Sequence, residues 1–575
     1  MDEKAENKIS RRQFLGLAGG VIGAGVLASI GLNPWLTKNK RELDLDSIEY
    51  QENETDILVI GGGMAGLFAA VKGYDAGSKV LMVSKGRLGT SGQTPFAKGM
   101  FVYDSSQEKL SLDAFTAKVS ASALKTNNPV YTRQMAEHSM ARVNELKKWG
   151  FFSSVFCHNA FMKPIKERNI PVMERIMITH LIKGNGKIAG AAGFSFDDAK
   201  IHIFKSKSVI LCTGAGGFKP NGFPICDLTH DGTVMAYNIG AKVTGKEWND
   251  GHSGMAENAA DCYNGWHGMF ERTPGVTGIE VHHDLGVDEN YQAYMLGNPV
   301  KSGPGRSAGK TVQGGPYTPE EFIRQMPSGG DGPSVDGGHE GGAPSGPSGA
   351  SVGGSSAGMS IHKSEGLVPI NEKGESNIPG LYAAGDALGS YMAGAIYTQI
   401  GSSLSGSAVQ GAIVSEAAAE YCKKTESSEI STKSLTIIKK EILAPLKRDT
   451  GYSPAWVTQI LQGIMIPNFV IYIKKERILN AALAYVEELR DHHVPMLRAA
   501  NLHELRLAHE TSNMIINAEM KLRASLMRKE SRCSHYRLDY PDIDYQNWQA
   551  WINISKDVNG FMKLEKQAFS KWPGY

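Results

Sequence analysis

Asp56-Ile57-Leu58-Val59-Ile60 is apolar after its first residue, the pattern of a strand buried on both faces. It runs directly into Gly61-Gly62-Gly63-Met64-Ala65-Gly66, and a helical stretch follows to Asp75, closed by Gly77. Lys79 to Val83 predicts a second strand. From Ser111 to Trp149 the pattern is helical, with Ser111 as its N-cap. Pro171 to Phe194 and Ile201 to Leu211 read as strands around turns, and Val209-Ile210-Leu211-Cys212-Thr213 ends in Gly214-Ala215-Gly216-Gly217. Clear periodicity is lost from about Gly245 to Ala350. Within that stretch and just beyond, Pro327 to Gly358 is dominated by Gly, Ser and Pro with no fixed glycine period. It reads as a surface loop, with a loop folded over a functional site as the alternative. Strand character returns from Leu367 to Gly385, and a helix is predicted from Gly401-Ser402-Ser403 to Tyr421. Leu435 to Arg528 is mainly helical, rich in charge and poor in glycine, and reads as a separate helical domain.

At 575 residues the chain exceeds one ordinary core. Hydrophobic content of 41% and charge of 21% describe a globular protein. Lys+Arg 61 against Asp+Glu 59 leaves a net charge of +2, which gives no support for a nucleic-acid partner. The six cysteines, Cys157, Cys212, Cys226, Cys262, Cys422 and Cys533, form no C-x-x-C and no C-x-x-C-H. No iron–sulfur cluster, c-type haem or other metal site is therefore expected in this chain. Cys212, in an apolar run, is expected in the core.

The glycine motif has the context that gives it meaning, a strand before it and a helix after it. The first glycine permits the tight turn, the second lets the backbone approach a pyrophosphate, and the third allows close packing of helix on strand. The phosphate charge then meets unpaired N–H groups and the positive end of the helix dipole. The acid that binds ribose in such units falls about 20 residues on. Val83-Ser84-Lys85 stands there instead, so Ser84 takes that part more weakly, or water helps.

Ser84-Lys85, Thr213-Gly214-Ala215-Gly216-Gly217, Ile378-Pro379-Gly380-Leu381-Tyr382-Ala383-Ala384-Gly385-Asp386 and Gly401-Ser402-Ser403-Leu404 occur in that order. With the opening glycines they resemble the fumarate reductase and succinate dehydrogenase flavoprotein family, whose relatives include adenylylsulfate reductase and the 3-ketosteroid dehydrogenases. Arg528 to Pro541, with Asn547-Trp548 beyond, resembles the closing segment of its multi-subunit branch. The resemblance covers residues 55–245 and 355–425 well, the C-terminal region moderately, and 246–354 poorly.

It implies an α/β fold: a Rossmann-like FAD-binding domain (55–245 and 355–425) interrupted by an α+β capping domain (246–354) and followed by a C-terminal helical domain (426–575). It further implies FAD held by Gly61, Gly63, Met64, Ala65, Gly66, Ser84, Lys85, Ser91, Gly92, Gln93, Thr213, Gly214, Ala215, Gly385, Asp386, Ser402, Ser403 and Leu404. Gly385-Asp386 would reach the ribityl and phosphate region. The helix from Ser402 would point its N–H groups at the pyrimidine end of the ring, where reduced flavin carries negative charge.

The chain departs from the family in two places. Gln93, in Ser91-Gly92-Gln93-Thr94-Pro95, stands where the membrane-bound enzymes attach FAD to a histidine, so the FAD is expected to be non-covalent. The family's dicarboxylate-binding His and Arg fall near Ser355-Ser356-Ala357-Gly358 and Tyr397-Thr398-Gln399-Ile400, where neither is present. Arginine forks specify carboxylates by paired hydrogen bonds, so fumarate is disfavoured as substrate. Tyr397 and Tyr391 are candidate general acids against the plainer reading of core tyrosines. Arg272, with Arg306, His282 and His283, is a candidate for substrate contact in the cap against the plainer reading of solvated surface. Arg532, His535 and Arg537 are expected to brace the cap and the C-terminal domain through charge pairs.

At the N-terminus, Ser10-Arg11-Arg12-Gln13-Phe14-Leu15 opens an uncharged stretch from Phe14 to Leu32. This segment (1–32) resembles twin-arginine export signals and is followed by a polar linker (33–54). The resemblance implies delivery of a folded, cofactor-loaded protein by the twin-arginine translocase to a periplasmic or other extracytoplasmic site. Anchoring by an uncleaved signal stays open, because no A-x-A follows.

The expected activity is that of an FAD-dependent reductase passing a hydride to a small organic acceptor such as an activated C=C. Electrons would come from a separate cytochrome, iron–sulfur protein or quinone-linked subunit. The alternatives are a dehydrogenase running the other way, a flavoprotein like that of adenylylsulfate reductase, and a flavoprotein that only relays electrons.

Overall fold

The computed structural model describes residues 48–575 apart from 97–99, 107–109, 155, 199, 219–227, 254–299, 302–350, 353–357, 362–365, 390–391, 396–400, 467, 472 and 573–575. The signal, most of the linker and most of the predicted cap lie outside the described residues, as do Tyr391, Tyr397, Arg272, Arg306, His282 and His283.

Strand β1 (Tyr50–Ile60) carries the apolar run, and Ile57, Leu58, Val59 and Ile60 are buried. Alternate side chains point to opposite faces, so Leu58 and Ile60 enter one apolar cluster and Ile57 and Val59 another. The helix α1 (Met64–Asp75) leads to β2 (Val80–Ser84), which pairs parallel to β1, and Leu58 faces Leu81 in register. The long helical stretch expected from Ser111 to Trp149 is two helices, α2 (Leu112–Ser122) and α3 (Pro129–Trp149). Leu124 and Lys125 adopt positive φ between them. Asn128 then starts a new helix, its side chain accepting from the Val130 N–H with Pro129 in the first turn. Ser111 caps α2 as expected, accepting from the Ala114 N–H at 3.2 Å.

After α4 (Cys157–Glu167) come β3 (Val172–Glu174), β4 (Ile176–Gly184), β5 (Lys187–Ser195) and β6 (Ile201–Leu211). Next come β7 (Gly217–Phe218), α5 (Asp231–Asn238), β8 (Val243–Thr244) and β9 (Asp250–Ser253). Beyond the undescribed stretch lie β10 (Gly358–Ile361), β11 (Gly366–Leu367) and β12 (Leu381–Ala383). Among the described residues the main sheet has seven strands in the order β3-β2-β1-β6-β5-β4, with β12 also paired to β6. Its β3, β2, β1, β6 and β12 members run parallel, and β5 and β4 are antiparallel additions. Helix α6 (Ser402–Lys423) follows β12 and packs on α1. This is the α/β arrangement expected for an FAD domain.

The C-terminal region is helical through α7 (Thr432–Leu443), α8 (Pro454–Met465), α9 (Glu476–Glu488) and α10 (Leu502–Met527). Asn501 caps α10 by accepting from the Glu504 N–H, and the Glu504 carboxylate accepts from the Ala500 N–H at 2.7 Å. A hairpin that the pattern did not announce closes the chain, β13 (Ala550–Lys556) and β14 (Met562–Ala568). It joins β8 and β11 in a four-stranded sheet, order β11-β8-β13-β14. Trp551 there meets Trp248 and Trp572 edge-on at 6.0 and 5.5 Å, so hairpin and α/β layer share one apolar core.

Candidate cofactor site

A cleft of about 890 Å³, solvent at its mouth included, opens where β1, β2 and β6 end. Residues 61–65 line it. Gly61 has φ of +122°, and a Cβ there would stand 2.1 Å from the Cys212 carbonyl oxygen. The turn can therefore lie flat against the end of β6 only as glycine. A Cβ at Gly66 would be 2.0 Å from the Gly61 oxygen, so the third glycine seats α1 on its strand. Gly63 precedes α1 with no side-chain cap, and no acidic residue occupies the first turn. That helix end can take an anion.

Ser84, buried at the end of β2, sits over Gly62, where a Cβ would be 2.7 Å from its hydroxyl. Lys85 also lines the cleft, and its ammonium is engaged by protein groups. It donates to Thr229 Oγ1 at 2.7 Å and to Asp231 Oδ2 at 2.7 Å, and forms an ion pair with Glu510 Oε1 at 2.8 Å. Asp231 opens α5 and lines the cleft, and its other oxygen accepts from Asn513 Nδ2 at 2.8 Å. Burial works to raise the Asp231 carboxyl, but the charge and hydrogen bond of Lys85, with those from Asn513 and Thr229, hold it below the usual carboxylate range. Glu510 goes the other way, because burial, with Asp231 nearby, outweighs Lys85 and Arg506.

Ser91, Gly92, Gln93 and Thr94 form a further wall, and Thr94 Oγ1 accepts from the Met64 N–H at 3.2 Å. Thr213, Gly214 and Ala215 also line the cleft. Cys212 beside them is buried, and burial raises its thiol far above the ordinary value, so it stays protonated. Asp386 lines the cleft, and the Gly385 N–H donates to Gln410 Oε1 of α6 at 2.9 Å. Ser402, Ser403 and Leu404 form the first turn of α6 behind Gly401, away from the lining of this cleft, whereas Ser407 one turn further lines it.

Two buried polar atoms of lining residues, Gln93 Nε2 and Thr213 Oγ1, have no hydrogen-bond partner among the described residues. Buried polar groups are nearly always paired, so a polar ligand fits here. Glycines that admit a backbone to a pyrophosphate, a helix start whose N-cap residue brings no side chain and two orphaned polar side chains together fit FAD.

Asp231, Thr94 and Ser407 were absent from the sequence-derived candidates. For Asp231 a signal existed, an acid in the first turn of a helix, and Thr94 stands in the Ser91-Gly92-Gln93-Thr94-Pro95 stretch matched to the family, whereas Ser407 stands in no recognisable motif. Gly216 has a local reason of another kind: a Cβ there would fall 1.8–2.1 Å from ring atoms of His230. That ring meets Asn517 Nδ2 at 3.1 Å, and Asn517 Oδ1 accepts from the buried Lys246 at 2.6 Å. Further along, Glu247 and Glu530 pair with Arg528, and Glu530 also with Arg532, all four fully or almost fully buried. Arg537 pairs with Asp539 at 2.7 Å. His535 accepts from Lys474 at 2.9 Å, and burial among Lys474, Arg528 and Arg537 holds its imidazole neutral.

Comparison with known proteins agrees with the cleft. The family described as FAD binding domain matches residues 56–159, and the family described as fumarate reductase flavoprotein C-term matches residues 458–570. The chain is 24% identical over 561 residues to one subunit of the fumarate reductase (CoM/CoB) of Methanothermobacter marburgensis, covering 89% of this chain and 99% of the relative. A variant of Escherichia coli quinol fumarate reductase superposes with a TM-score of 0.69 at 16% identity, covering 90% of this chain and 97% of that one. Adenylylsulfate reductase of Archaeoglobus fulgidus does so with a TM-score of 0.68 at 21% identity, over 92% and 98%.

Proposed function

From a chain that belongs to the fumarate reductase and succinate dehydrogenase flavoprotein family and is an FAD-dependent oxidoreductase, we propose an exported reductase of a small organic acceptor, an activated C=C other than fumarate. When bound, FAD supplies the hydride chemistry. The observation that carries the reading is the glycine-built cleft with its two orphaned polar atoms, Gln93 Nε2 and Thr213 Oγ1. Gln93 offers a neutral donor and no nucleophile, which supports reversible, non-covalent binding of the cofactor. The start of α1, with no acidic residue in its first turn, would take the pyrophosphate, and Ser84 would serve the ribose as hydroxyl donor and acceptor. Asp386 would hydrogen-bond the chain that joins phosphate and ring.

The disfavouring of fumarate rests on sequence: no His or Arg stands at Ser355–Gly358 or Tyr397–Ile400. Substrate proton donors are proposed among Tyr397 and Tyr391, with Arg272 as an acceptor contact. Electrons would arrive from a separate protein, in keeping with a relative named as one subunit of its enzyme. Export by the twin-arginine route rests on Arg11-Arg12 and the uncharged stretch behind them. Arg11→Lys with Arg12→Lys should keep the protein in the cytoplasm in a fractionation experiment, and unaltered export would refute that route.

The deciding test is anaerobic. The bound flavin is reduced chemically, candidate acceptors are added, and the return of oxidised flavin absorbance is timed. Fast reoxidation by one unsaturated acid or enone, with little response to fumarate, supports the proposal. Fast reoxidation by fumarate would move the substrate to that of the named relatives. Response to a cytochrome or quinone alone would favour a dehydrogenase or a relay.

A further inference from the structure

We infer that Glu510 and Asn513 of α10 are positioning residues for the cofactor cleft, so that FAD binding and the docking of this helix are thermodynamically coupled. The inference rests on the assignment of FAD to that cleft.

Glu510 and Asn513 lie three positions apart and so share one face of α10. Neither lines the cleft, yet each holds a charged side chain that does. Glu510 Oε1 stands 2.8 Å from Lys85 Nζ, and Asn513 Nδ2 donates to Asp231 Oδ1 at 2.8 Å. Lys85 and Asp231 come from different elements, the end of β2 and the start of α5, and meet each other at 2.7 Å. The side chains of Lys85, Asp231 and Glu510 are only 13%, 12% and 9% exposed. Loss of one member therefore leaves a charge short of compensation in a poorly solvated place. The remaining side chains must then turn toward water, and the open water beside them is the cleft. A wall that reorganises on the loss of α10 contacts loses its fit to the cofactor. By linkage, a cofactor that fixes Lys85 and Asp231 must stabilise α10 to the same extent. The helix belongs to the segment 458–570, remote in sequence from the glycine motif, so the coupling ties two distant stretches of chain together.

The test uses the full chain freed of flavin. FAD is titrated back and the quenching of its fluorescence gives the dissociation constant. Hydrogen–deuterium exchange of residues 502–527 is measured with and without FAD. Glu510→Ala and Asn513→Ala should each raise the dissociation constant about tenfold or more, about 1.4 kcal/mol. Glu510→Gln, which keeps the shape and an acceptor, should fall between wild type and Glu510→Ala. Arg523→Ala removes the ion pairs of α10 residue Arg523 with Glu487 of α9 and with Glu519 one turn back, neither of which holds a residue that lines the cleft, and should leave FAD affinity unchanged. FAD should slow exchange around residue 510 in the wild type and not in Glu510→Ala. Affinities within twofold of wild type in both variants, or a loss as large in Arg523→Ala, would overturn the coupling. Should Glu510→Ala not fold, the uncharged Asn513→Ala decides. A wild-type chain that binds no FAD would instead overturn the assignment of the cleft itself.

Discussion

Gly61→Ala tests whether the cleft is built by close approach of two strand ends. The added Cβ would stand 2.1 Å from the Cys212 carbonyl oxygen and 2.6 Å from its carbon, where ordinary contact begins near 3.4 Å. The clash is with backbone, so β1 and β6 must part by about 1.3 Å rather than a side chain turning aside. That movement strains the bonds from the Cys212 N–H to the Ile60 oxygen and from the Gly61 N–H to the Val83 oxygen, both 2.8 Å. Each bond contributes about 1 kcal/mol, and a Cβ at positive φ costs about 1–2 kcal/mol. Together they predict a loss of about 3–4 kcal/mol. Gly214→Ala is the control, because Gly214 also has positive φ, +72°, but none of the described residues lies within 4 Å of its added Cβ. It should lose only about 1 kcal/mol. Urea unfolding of the flavin-free proteins, followed by tryptophan fluorescence, gives both values from midpoint and slope. Equal losses in the two variants would refute the close-approach argument, since the conformational cost alone would then explain both.

Glu530 accepts from Arg528 at 2.7 Å, from Arg532 at 2.9 and 3.0 Å and from the Asp544 N–H at 2.9 Å. Glu530→Ala should therefore cost about 3–5 kcal/mol in urea unfolding and Glu530→Gln less; a loss below about 1 kcal/mol would show that the network contributes little. His509 is held to about 4 because burial disfavours its charged ring, although its bond to the Ile442 oxygen works the other way. Its folded value lies below its unfolded one, so its stabilisation is complete above about pH 6.5 and is lost as the pH falls toward about 4. Allowing for its partial exposure, the loss should be about 2 kcal/mol, and His509→Gln should flatten that limb of the stability profile. Acid precipitation of the holoprotein should leave all FAD in the supernatant, and flavin retained in the pellet would refute non-covalent binding through Gln93.

The cofactor cleft was legible where its chemistry is local. An apolar strand, three spaced glycines and a helix are contiguous in the chain, and β1, the turn and α1 stand at those residues. The Ser91–Gln93 turn was found through a single departure from a family pattern. What lay hidden depends on distance along the chain. Lys85 was expected only as one of the FAD-binding residues, because its partner Asp231 is 146 residues away and Glu510 lies further still. The break between α2 and α3 was visible in principle, since Asn128-Pro129 is a helix start, but apolar periodicity on both sides concealed it. The final hairpin was missed because its alternation is short and its partners, Val243-Thr244, are two residues with no strand pattern of their own.

That hairpin also sets an order of events during synthesis. Val243 and Thr244 pair with Ile554 and Asn553, and the Thr244 hydroxyl donates to the Ile552 oxygen, 308 residues further along the chain. All of that chain must be translated, and the hairpin must clear the ribosome exit tunnel, before the sheet can close. Until then the strand leading out of the cofactor-binding half has an unsatisfied edge, a natural target for chaperones. A nascent chain arrested before residue 550 should remain protease-sensitive around residue 244, and release of the completed chain should protect it.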